Sequence, residues 1–115
     1  RIIRAGYGPR EIYTAWTAQA IPQWRALADR TDPTLFLQCG ALFLTREHNG
    51  FASATELAFQ KHKVPYERLL APQLRTRFPQ FQFADEELGL FEPQAGGLLA
   101  RRAIQTLVRL LIEAG

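Results

Sequence analysis

Two arginines three positions apart flank an apolar pair in Arg1-Ile2-Ile3-Arg4-Ala5-Gly6-Tyr7-Gly8. A guanidinium is planar, always charged and able to meet a carboxylate through two parallel hydrogen bonds. Arg4, beside a Gly-Tyr-Gly bend, is therefore the strongest candidate to hold the carboxylate of a small acid such as an amino acid. Arg1 could place positive charge beside an anionic cofactor group, and Tyr7 offers a ring to wall a pocket and a hydroxyl to donate. Each has an ordinary competing role. Arg4 could pair with Glu11 or sit as a charge on a sheet edge, Arg1 could be a loose terminal residue, and Tyr7 could simply pack at a turn.

No other residues form a recognisable catalytic set. Ser/His/Asp, HExxH and phosphate-cradling GxGxxG patterns are absent, and no residue is assigned a catalytic role. His48 and His62 lack a partner at metal spacing and read as surface residues, so no metal site is expected. The single cysteine, Cys39, rules out an internal disulfide, fits a reducing, cytoplasmic setting and reads as a small buried hydrophobe. Gly96-Gly97 after Glu92-Pro93 reads as a turn between two strands rather than a ligand contact.

The elements that must position Arg4 follow from periodicity. In an extended segment Arg1 and Ile3 share one face, and Ile2 and Arg4 share the other. Residues 10–30 read as a helix, with Pro22 expected to kink or briefly break it near Ala18 to Ile21. Thr34 to Thr45, divided by Gly40, reads as two short strands or one bent strand, internal and covered on both faces. Phe51 to His62 reads as a short helix turning Phe51, Ala54, Leu57 and Ala58 to a core. A strand at Tyr66 to Leu70 and a helix at Pro72 to Phe78 follow, then an irregular stretch pinned by Phe81 and Phe83. Strands at Leu88 to Glu92 and Gly97 to Ala100 precede a closing helix, Arg101 to Ala114. Ile104, Leu107, Val108, Leu111 and Ile112 make one apolar face of that helix.

The chain has 115 residues, 47% of them apolar, enough for one core, and its formal charge is +3. The arginines are scattered rather than striped, which favours solvated helix faces over nucleic-acid binding. No apolar run approaches a membrane span of roughly 20 residues. The reading from residues alone is an α+β piece of a larger protein.

The ordered set Arg-Ile-Ile-Arg-x-x-Tyr-Gly, a long helix with Trp24, Cys39-Gly40-Ala41-Leu42-Phe43-Leu44, and Leu90-Phe91-Glu92-Pro93-Gln94-Ala95-Gly96-Gly97-Leu98-Leu99 before a closing helix resembles the FAD-dependent amine oxidases of the sarcosine oxidase type. The resemblance implies an internal fragment of a two-domain flavoenzyme with a mixed, largely antiparallel sheet and covering helices. It implies a substrate-domain segment over 1–100, linked to the FAD domain at its start, and a closing helix over 101–115 that re-enters the FAD domain. It further implies Arg4 on the substrate carboxylate, Tyr7 lining the substrate cavity, Arg1 beside the flavin, and FAD held mainly by a motif outside this chain. The implied activity is oxidation of the C–N bond of an N-methylated or other amino acid, with the isolated piece inactive. The implied partners are a small amino-acid substrate and the rest of the FAD domain, with no nucleic acid and no membrane, and the isolated piece is expected to dimerise through unpaired strand edges. The competing reading is a non-catalytic module that grips a partner protein or polyanion through arginines and exposed aromatics.

Overall fold

The computed structural model describes residues 1–115 and contains two small sheets, all of whose strand pairs are antiparallel. In chain order the elements are β1 (Ile2–Ile3), α1 (Glu11–Arg30), a single 3-10 turn (Pro33–Leu35), β2 (Phe36–Leu37) and β3 (Ala41–Arg46). They continue with α2 (Gly50–Lys61), β4 (Glu67–Leu70), α3 (Ala71–Arg77), β5 (Glu87–Glu92), β6 (Gly96–Leu98) and α4 (Ala100–Ala114).

One sheet has the order β1-β6-β2 and the other β3-β5-β4. The chain changes sheet twice, between β2 and β3 and between β5 and β6. The two crossings lie side by side: Gly40 N–H donates to the Ala95 carbonyl at 2.8 Å and Gln38 Nε2 to the Pro93 carbonyl at 3.3 Å. This overturns the picture of two strands facing each other across a Pro93–Gly96 turn. Gly96 and Gly97 lie within β6 or at its edge of pairing, and the Leu37 carbonyl occupies the space where a Gly96 side chain would begin.

The first sheet packs on α1. Ile21, Ala28, Leu35 and Phe36 form its core, with Ile3 and Leu98 against them. α1 runs through Pro22 without interruption, so the expected break does not occur; packing of Ile21 against the sheet keeps that turn in place. The second sheet is covered on both faces. Leu88 and Leu90 of β5 meet Ala52 of α2, and Leu69, Leu74 and Phe83 form a cluster with Leu42, Phe78 and Phe91.

Several sequence expectations need correction. The strand covered on both sides is β5, whereas β2 and β3 are sheet edges, because the pairing that seats β5 centrally comes from partners far away in sequence. α2 buries Ala52, Thr55, Ala58 and Phe59, one step round the helix from the expected face, and Leu57 is exposed. Thr55 is drawn inward by a hydrogen bond described below. Phe83 is buried but Phe81 is 59% exposed, so only one of the two pins the irregular stretch. Cys39 is exposed, since β2 ends at Leu37 and leaves it in the crossing rather than in a strand.

α4 forms where its apolar periodicity places it, yet most of that face meets nothing in this chain. Ala103 and Thr106 are buried and Arg102 reaches Thr34 Oγ1 at 2.7 Å and Asp32 at 3.4 Å. Ile104, Val108, Leu111 and Ile112 are exposed, the last two at 71% and 75%. No helix is long and apolar enough to cross a membrane.

Candidate functional site

The site begins where β1 ends. Ile2 pairs with Gly97 and Ile3 with Gly96, so the backbone arrives at Arg4 in a fixed, extended direction. Beyond Arg4 the ladder stops, and the polar backbone groups of residues 5–8 need other partners if they are buried. Side chains provide them. Ala5 N–H donates to Glu92 Oε2 at 2.6 Å, Gly6 N–H to Glu92 Oε1 at 3.0 Å, and Gly8 N–H to Thr55 Oγ1 at 2.9 Å. The Ala5 carbonyl accepts from Thr14 Oγ1 at 2.7 Å. The segment is thus tied to β5, α2 and α1 together.

Gly8 closes the bend. Its φ is +59°, in the left-handed region, and a Cβ there would lie 2.3 Å from a ring carbon of Phe51, so only glycine fits both the conformation and the space. Arg10 N–H then donates to the Tyr7 carbonyl at 3.2 Å, and α1 begins.

This arrangement puts the Arg4 guanidinium over the ring of Tyr7, 4.9 Å from its centroid. Tyr7 in turn packs against Tyr13 at 5.5 Å, and Tyr13 against the edge of Trp16 at 5.7 Å. Arg4 forms no ion pair. The partner considered for it, Glu11, is instead bound by Lys61 at 2.7 Å and His62 at 2.8 Å, and these hydrogen bonds hold the Glu11 carboxyl below its ordinary range. His62 is therefore half-buried and paired rather than a free surface residue.

Arg4 and Ile2 line one cavity of about 290 Å³ with Gly40, Ala41, Leu42, Phe43 and Glu92. Their shared face matches the expected two-residue alternation. An always-charged fork in a largely apolar wall suits a small carboxylate ligand with an apolar remainder. Tyr7 does not line this cavity; it backs the guanidinium from the side. Arg1 lies elsewhere, in a cleft of about 470 Å³ with Leu98 to Arg102 and Gln105. Its side chain makes no hydrogen bond or ion pair. Arg101 lines the same cleft, also without a hydrogen bond or ion pair, so two unpaired cations stand near the start of α4, able to meet an anionic group.

Glu92, Thr14 and Thr55 were not singled out from the sequence. Glu92 is 4% exposed, and burial pushes its carboxyl above the ordinary value, against the pull of the Ala5 and Gly6 N–H groups and the Arg4 charge. The available signal was a carboxylate ending the apolar run Leu88-Gly89-Leu90-Phe91: such a group is buried by its neighbours and must find donors.

The fold is a mixed α/β arrangement of antiparallel sheets and covering helices, with one unpaired guanidinium at a cavity walled mainly by apolar residues. Residues 1–115 match the family described as FAD dependent oxidoreductase (DAO), and the chain belongs to that family. Among its relatives is the N-methyl-L-tryptophan oxidase of Yersinia pestis (strain Pestoides F), 34% identical over 115 residues, which are all of this chain and 31% of that protein. The N-methyl-L-tryptophan oxidase of Yersinia pseudotuberculosis serotype O:1b (strain IP 31758) matches to the same extent. The open form of NikD, described as an unusual amino acid oxidase essential for nikkomycin biosynthesis, superposes with a TM-score of 0.71 at 28% identity, over all of this chain and 30% of its own. The chain thus spans about a third of the length of these relatives.

Proposed function

We propose that this chain supplies the carboxylate clamp of an FAD-dependent oxidase that acts on the C–N bond of an N-methylated or other amino acid. The observation that carries the reading is the unpaired Arg4 guanidinium, backed by Tyr7 and presented to a cavity walled mainly by apolar residues, with the Ala5 and Gly6 N–H groups just beyond it bound by Glu92. The relatives named as oxidases of amino acids support it.

In this mechanism Arg4 takes the substrate carboxylate in its fork, which fixes the orientation of the carbon that gives up hydride. Ile2, Leu42 and Phe43 surround the substrate and exclude water, which strengthens the Arg4 contact. Tyr7 keeps the guanidinium from turning away. FAD, when bound, supplies the acceptor for the hydride. Arg1 stands three residues of extended chain from Arg4, roughly 10 Å, so a charge on the cofactor and a carboxylate on the substrate can be met from one short strand.

Residues 1–100 are assigned to the substrate domain and 101–115 to a helix returning to the FAD domain, whose remaining part would cover Ile104, Val108, Leu111 and Ile112. A cytoplasmic setting suits the exposed, unpaired thiol of Cys39. The polyanion-binding alternative draws less support from this surface, where Arg68, Arg75, Arg77, Arg102 and Arg109 already face carboxylates.

The test is an anaerobic titration of the full-length protein with N-methylated amino acids, followed in the flavin absorption band. Bleaching of that band is expected. A flavin that stays oxidised with every N-methylated and unmethylated amino acid tried would refute the assignment.

A further inference from the structure

Glu92 is a charged residue only 4% exposed, and the clamp mechanism makes no use of it. It stands at the last position of β5, opposite Ala41 of β3, where the chain crosses between the sheets. Both oxygens are spent on consecutive backbone N–H groups, those of Ala5 and Gly6. The first of these belongs to the peptide that joins Arg4 to Ala5. With β1 fixing the chain before Arg4 and Glu92 fixing the peptide after it, the direction in which the Arg4 side chain leaves the backbone is set from both sides.

A carboxylate is the side chain suited to this task. It accepts through two equivalent oxygens, whereas an amide would turn an NH₂ donor toward one of the two N–H groups. Burial of a charge is costly, so its use here calls for a compensating role. Glu92 borders the same cavity as Arg4 without forming an ion pair with it. Its charge offsets that of Arg4 while leaving the guanidinium free for a ligand.

We propose that Glu92 is the positioning residue of the clamp: by binding the Ala5 and Gly6 N–H groups through both oxygens, it fixes the backbone from which Arg4 reaches the substrate carboxylate. This rests on the reading of Arg4 as the carboxylate ligand.

The test compares binding of propionate with binding of propionamide to the flavin-loaded full-length protein, read by perturbation of the flavin spectrum. The ratio of the two affinities isolates the carboxylate contact from general damage. Glu92→Gln is expected to reduce the preference for propionate by about tenfold, the scale of a misaligned charge-assisted contact. In an Arg4→Leu background the same change should reduce it no further. An undiminished preference in Glu92→Gln, or equal losses for both probes, with Arg4→Leu still abolishing the preference, overturns the role of Glu92 and leaves the clamp standing. A preference that survives Arg4→Leu removes the clamp and this proposal with it. Should Glu92→Gln not retain flavin, Glu92→Asp, which keeps the charge but withdraws it by one methylene, is judged by the same ratio.

Discussion

The two ends of this chain solve the problem of burial in opposite ways. At the Arg4–Gly8 segment, an irregular stretch with little apolar content is closed in by Glu92, Thr14 and Thr55, each meeting a backbone group at 2.6–3.0 Å. At α4, a regular helix with a continuous apolar stripe leaves Leu111 and Ile112 in solvent. The first region draws its partners from elements within these 115 residues. The second has an apolar face that no other element of these 115 residues covers.

The largest effect expected from breaking this contrast comes at α4. In the full-length protein Leu111→Glu together with Ile112→Glu should cost more than about 5 kcal/mol, since each apolar side chain contributes about 1.5–3 kcal/mol when buried and a charge in its place costs more. That is comparable to the whole stability of many domains. Loss of soluble, flavin-loaded protein on purification is the expected outcome. A variant that keeps its flavin and its thermal midpoint would show that this face is open to water in the complete molecule.

The same contrast explains what could be read from the sequence. The α4 stripe was legible because a 3.6-residue apolar period is a local signal, but the period does not say what covers it. The division of Thr34 to Thr45 at Gly40 was legible for a similar reason. The seating of β6 between β1 and β2 was not, because it joins residues such as Ile2 and Gly97 from opposite ends of the chain. Arg4 stood out by its residue type and its neighbours. The polar residues that hold its backbone did not, since Thr55 and Glu92 lie inward on elements whose apolar residues dominate any pattern. Thr55 also explains the one-step error on α2: the helix turns to bring its hydroxyl to Gly8, and the apolar count alone pointed to a neighbouring face.

A smaller effect sharpens the comparison on the side of the clamp. Glu11, at the start of α1, is held below its ordinary value of 4.5 by Lys61 and then His62, tying α1 to the end of α2. A carboxyl with a lowered folded value contributes stability above its unfolded value, and that contribution is lost as pH falls through the folded value. Glu92 works in the opposite sense. Its raised carboxyl takes up a proton more readily in the folded chain, so acidification through its window favours folding. Urea midpoints of the full-length protein between about pH 6 and about pH 3 should therefore fall less steeply in Glu11→Gln than in the wild type. An unchanged acid limb would show that this surface tie adds nothing measurable.

The most direct test of the central claim is the affinity of the flavin-loaded full-length protein for propionate, before and after Arg4→Leu. Removal of a two-pronged charge-assisted contact should weaken binding by about a hundredfold or more, while flavin content and the affinity for propionamide stay the same. Equal affinity for propionate in the two proteins would contradict the account and take Arg4 out of the substrate site.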